Sequence, residues 1–131
     1  MRLLVLDGSR VLPSLVRRMV PAGTDIVEAN TFERALRQLK LDPPDAVIVN
    51  VSPVDLPWQE IKTYCQEHEP KIPVLFESCV YAGPTDAGLD TLNHSSWFLP
   101  KPYSMDDLRM ALRLLVAWAE KRDSKPPAEP H

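Results

Sequence analysis

Four residues of chemically useful types stand where apolar segments run out. Asp7 follows Leu3-Leu4-Val5-Leu6, Asn50 follows Ala46-Val47-Ile48-Val49, Ser78 comes just after Ile72–Phe76, and Lys101 follows Trp97-Phe98-Leu99-Pro100. A carboxylate, a hydroxyl and an ammonium gathered in one place suit the handling of a phosphoryl group. Such a site needs an accepting carboxylate, and the place that asks for it is held by Asn50. An amide is neutral and a poor nucleophile, so it cannot take up phosphate as a carboxylate does. The set reads as the frame of a phosphate-accepting site without its chemical centre.

The elements that position these residues follow from hydropathy patterning. Apolar runs at Met1–Leu6, Asp25–Ala29, Ala46–Val49, Ile72–Phe76 and Trp97–Leu99 predict five strands, with the second the least apolar and nearest a sheet edge. Helical spacing predicts helices over 9–20, from Phe32 after a Thr31 cap, over Trp58–Glu67, and from Met105 to about Lys121 after a Ser104 cap. The stretch 80–96 offers little apolar face, and at best one short helix is expected around 85–93. Strands alternating with helices imply an α/β fold, a five-stranded parallel sheet with helices on both faces. Function in such sheets gathers at the carboxyl ends of the strands, and that rule alone selects Asp7, Asn50, Ser78 and Lys101 as one cluster.

The 131 residues give room for one domain with a real core. A domain over 1–122 and a Pro-rich tail or linker over 123–131 are expected. The formal charge of −3 argues against nucleic-acid binding by this domain, because tracking phosphates needs a basic excess. Cys65 and Cys79 make no disulfide framework, and the scattered His68, His94 and His131 give no zinc-type metal site. No apolar run approaches the ~20 residues that span a bilayer, and no signal peptide precedes the first strand. A cytoplasmic protein without membrane association is expected.

Three segments carry a family likeness: Leu4-Val5-Leu6-Asp7, Pro73-Val74-Leu75-Phe76-Glu77-Ser78 and Phe98-Leu99-Pro100-Lys101-Pro102. In this order and at these strand ends, the chain resembles a receiver domain of the response-regulator family (CheY-like) from Met1 to about Lys121. The resemblance implies a flavodoxin-like, doubly wound sheet of strand order 2-1-3-4-5. It also implies that Asp7 matches the first of two adjacent acidic residues that help bind magnesium, with Gly8 at the second. Asn50 falls at the phospho-accepting aspartate, Ser78 at the hydroxyl that contacts the phosphoryl group, and Lys101 at its pairing lysine. Phe98 matches the aromatic residue whose rotation reports activation.

The departures set the expectation for function. With no carboxylate at Gly8 or Asn50, no tight magnesium site and no cofactor are expected. Lys101 is expected to pair with Asp7 and to hydrogen-bond the Asn50 carbonyl. Ser78 reads equally as a plain strand-end hydroxyl, and a turn cap is an alternative reading of Asn50. Glu77 either points to solvent or fills the vacated acidic pocket; the sequence leaves both open. The chain is therefore expected to be a pseudo-receiver: a non-enzymatic interaction or regulatory module of a two-component system, joined to a protein partner or output domain. The alternative is a working phosphotransfer receiver with a non-standard acceptor such as Asp55. An unrelated small α/β enzyme has no Gly-rich phosphate loop or nucleophile elbow to support it. On the last helix, Met110, Leu114 and Trp118 lie off the core stripe, which marks a candidate homodimer interface.

Overall fold

A computed structural model describes residues 1–7, 11–50, 58–68, 71–78, 96–100 and 103–123. Five strands, β1 (Arg2–Leu6), β2 (Asp25–Ala29), β3 (Ala46–Asn50), β4 (Val74–Ser78) and β5 (Ser96–Pro100), form one sheet in the order β2-β1-β3-β4-β5. Every neighbouring pair is parallel. The helices are α1 (Val11–Met19), α2 (Phe32–Leu41), α3 (Trp58–Glu67) and α4 (Met105–Asp123). The short helix expected around 85–93 lies outside the described residues.

Alternation along the strands builds a separate core on each face, because successive side chains point to opposite sides. Leu4, Leu6, Val47, Val49, Val74 and Phe76 pack with Phe32, Ala35 and Leu39 of α2 and Ile61 and Cys65 of α3. Leu3, Val5, Ala46, Ile48 and Leu75 pack with Leu12 and Val16 of α1 and Leu108, Leu112 and Leu115 of α4. Central strands are buried on both faces, so they read as unbroken apolar runs. β2 lies at the edge, and its Asp25 and Glu28 are exposed.

Local signals set the element ends. Thr31 caps α2 by accepting from the Arg34 N–H at 3.2 Å. Ser104 caps α4 reciprocally: its Oγ accepts from Asp107 N–H at 3.0 Å, and Asp107 Oδ2 accepts from Ser104 N–H at 3.2 Å. Pro13 is the third residue of α1, where no intrahelical N–H is needed. Gly23 turns the chain into β2 with φ of +90°, a conformation that L side chains rarely adopt. At the amino edge of the sheet, Arg2 donates from its guanidinium to Asp25 and Asp42, and from its backbone N–H to Asp45.

One strand is displaced from its expected place. β4 begins at Val74 and runs through Glu77 and Ser78, whereas the apolar run suggests Ile72–Phe76. The Ile72 N–H donates to the Cys65 carbonyl at 3.0 Å, and Pro73 has no N–H to give to the ladder. The shift brings Glu77 into the sheet.

Candidate functional site

The carboxyl ends of β1, β3 and β4 place three polar side chains in a row. Register pairs Leu6 with Val49 and Asn50 with Glu77, so Asp7, Asn50 and Glu77 continue the face that carries Val5, Ile48 and Leu75. This is the face covered by α1 and α4. The Asp7 backbone N–H donates to the Ala29 carbonyl at 3.1 Å, which ties its position to the edge strand. Asn50 turns its amide nitrogen toward Asp7, with Nδ2 3.5 Å from Oδ1. The contact is long for a hydrogen bond, but its polarity is informative: a donor faces the carboxylate.

Glu77 is completely buried and Asp7 is 8% exposed; they are the two polar side chains within the described core. The Glu77 side chain therefore turns inward, which excludes the solvent-facing alternative. Tyr103, two residues before α4, donates its hydroxyl to Glu77 Oε2 at 3.1 Å. Burial, then the charge of Glu77, the hydrogen bond itself and the charge of Asp7 push the Tyr103 phenol well above its ordinary range. The phenol stays neutral and donates. Leu99 on β5 lies opposite Glu77 and closes that side of the row.

Asp7 and Asn50 are thus brought together as expected, though Asn50 meets Asp7 directly through its nitrogen. Ser78 closes β4 opposite Pro100, and Phe98 lies opposite Phe76 in β5. The side chains of both, with Gly8, Asp55 and Lys101, lie outside the described residues, as does the expected Lys101–Asp7 pairing. On α4, Met110 is 59% and Leu114 is 44% exposed, while Trp118 is half-buried with Lys121 Nζ 5.8 Å from its ring centroid. Tyr103 is the residue that sequence reasoning missed. The one signal for it was a carboxylate in phase with Leu75, which demands a buried donor from elsewhere in the chain.

The signal receiver domain of a putative LuxO repressor protein from Vibrio parahaemolyticus superposes with a TM-score of 0.71 at 19% identity, over 99% of this chain and 98% of that one. A two-component transcriptional regulator AraC from Clostridium phytofermentans gives 0.74 at 13% identity, over 95% and 99%. The chain has the fold of a response-regulator receiver domain. A chemotaxis response regulator of Vibrio cholerae shares this receiver fold, with a TM-score of 0.62 at 20% identity, over 87% and 98%. In sequence, the regulatory protein LuxO of Vibrio vulnificus is 26% identical over 104 residues, 79% of this chain. The chain spans 22% of the length of that relative. No family model matches the chain. Among the described residues, no helix of the receiver fold is long and apolar enough to cross a membrane.

Proposed function

We propose that this chain is an atypical receiver domain of a two-component signalling protein that works without aspartate phosphorylation, as an interaction or regulatory module. The observation that carries the reading is Asn50: it ends β3 in the receiver fold with a neutral amide turned to Asp7. A phosphoryl acceptor at that place would have to be an anionic nucleophile, and the amide is neither. The same residues disfavour magnesium, since a bound cation would find one carboxylate, Asp7, and a neutral amide where a second carboxylate would serve it. Gly8 contributes no carboxylate either. The residues present therefore do not fit a tight magnesium shell.

Without chemistry at the strand ends, the domain acts through its surfaces. The relatives of like fold include a regulatory protein about four times longer and a transcriptional regulator, which supports an output domain joined to this one in a longer chain. Met110 and Leu114, one turn apart on α4 and both exposed, with Trp118 a turn further on, form the patch through which a partner or second copy docks. A net charge of −3 keeps nucleic-acid contact out of this domain's role.

Incubation with a small phosphodonor and magnesium, followed by intact mass, tests the first part. The mass should stay unchanged; a stable gain of one phosphoryl group would favour the alternative acceptor, for which Asp55 is the candidate. Light scattering tests the second. Leu114→Glu with Trp118→Ser should convert a dimer to a monomer, and a wild type already monomeric at high concentration refutes the homodimer.

A further inference from the structure

A carboxylate with no exposed surface at the heart of a sheet needs a reason. Glu77 lies between Asn50 and Leu99 on its neighbouring strands, on the face where the preceding positions Val5, Ile48 and Leu75 are apolar. A leucine there would pack against Leu75 and Leu99 with no desolvation cost. A buried carboxylate is costly unless donors meet it in a fixed geometry, so its placement selects one arrangement of the surrounding groups. A donor it meets is Tyr103 Oη, which reaches it across 26 residues of sequence.

Tyr103 holds a mechanically significant position. It stands immediately before Ser104, and the Ser104–Asp107 exchange of hydrogen bonds fixes the first turn of α4. Its ring packs against the same core that receives Leu108, Leu112 and Leu115 from that helix. The ring is rigid and packed against this core, which restricts its rotamers, so the position of the hydroxyl is coupled to that of the backbone that starts α4. The bond to Glu77 thus joins the end of β4 to the beginning of the helix that displays Met110 and Leu114.

We infer that Tyr103 and Glu77 form a latch that holds the start of α4 on the carboxyl edge of the sheet and fixes how the exposed stripe of α4 is presented. The device deepens the proposed function and rests on it for its meaning: a domain without phosphorylation needs its signalling surface set by something permanent. Glu77 supplies a fixed buried acceptor in register with Asn50, and Tyr103 transmits its position to α4. The apolar contacts of α4 then keep the remaining turns in line.

Amide hydrogen exchange read by mass spectrometry on the whole chain tests the latch. In Tyr103→Phe, which keeps the ring and removes only the hydroxyl, exchange should rise roughly tenfold to a hundredfold in 103–110 and 74–78, the loss of one charge-assisted hydrogen bond. Exchange in β1, β2 and α2 should not change. Glu77→Gln should raise the same two segments by a smaller factor, because an amide oxygen still accepts from the tyrosine. The double variant should raise exchange by less than the product of the two separate factors, because both substitutions break the same contact. Unchanged exchange in Tyr103→Phe, a uniform rise across the chain, or additive effects of the two substitutions each overturn the latch. A phosphoryl gain on the wild type overturns the reading of the site and not the contact, so the two failures are distinguishable.

Discussion

Introducing a carboxylate at position 50 probes the site more sharply than any deletion. In Asn50→Asp a second negative group replaces a donor that lies 3.5 Å from Asp7 Oδ1. Two unit charges at that separation repel by about 5 kcal/mol at an effective dielectric constant of 20. Glu77 lies opposite on the next strand and adds to the field. The protein escapes part of this by keeping the introduced carboxyl protonated, which caps the cost at about 4 kcal/mol at pH 7 and about 1.5 kcal/mol at pH 5 for an ordinary aspartate pKa. Because position 50 is half-buried, water screens some of the repulsion, and a loss of about 2–3 kcal/mol at pH 7 is expected. The sign is fixed by linkage: the introduced group has a folded pKa raised above its unfolded value. The penalty is therefore absent below the unfolded pKa and grows as pH rises toward the folded one. Urea denaturation in EDTA at pH 7 and pH 5 measures both values, and repetition with magnesium tests whether a cation relieves the repulsion. Equal stability of the variant and the wild type at pH 7, or a larger deficit at pH 5, would refute the placement of Asp7 and Glu77 around Asn50.

The other expectations concern the parts that frame the site. The Tyr103 phenol has its folded pKa raised above the ordinary 10.0, so its contribution is fully present below pH 10 and is lost as pH climbs through the raised value. As pH rises above 10 the wild type should lose stability more steeply than Tyr103→Phe; parallel curves would contradict this. Ile61→Ala opens a void in the completely buried contact of α3 with the sheet and should cost about 2–4 kcal/mol in urea denaturation. Ser104→Ala removes the acceptor for the Asp107 N–H and should cost about 1 kcal/mol, with fraying confined to the first turn of α4 by amide exchange.

The sheet was legible because its central strands are buried on both faces and so appear as short apolar runs between turn residues. Thr31 and Ser104 were legible for a local reason, since each cap bonds to a residue three positions on. The limits of β4 were not, because Ile72 and Pro73 are as apolar as the strand they precede. The start of β4 at Val74 depends on the Cys65 carbonyl taking the Ile72 N–H, a contact from another element. The meeting of Asp7 and Asn50 followed from the rule that parallel strands deliver their ends to one edge. Glu77 needed more: its phase with Leu75 put it on a buried face, but the donor that makes burial tolerable is 26 residues away. No periodicity reports a pair of that kind.

The pairing of Asn50 with Glu77 also shapes the mutational neighbourhood of this chain. A single change to aspartate at position 50 meets two carboxylates already installed, Asp7 and Glu77, and passes through a destabilised protein. The passable order is the reverse, with Glu77 first exchanged for an uncharged residue and position 50 changed afterwards. Each step then leaves the count of neighbouring negative charges no higher than it is now. The amide at position 50 is in this sense entrenched: the buried glutamate acts as a ratchet against a carboxylate there.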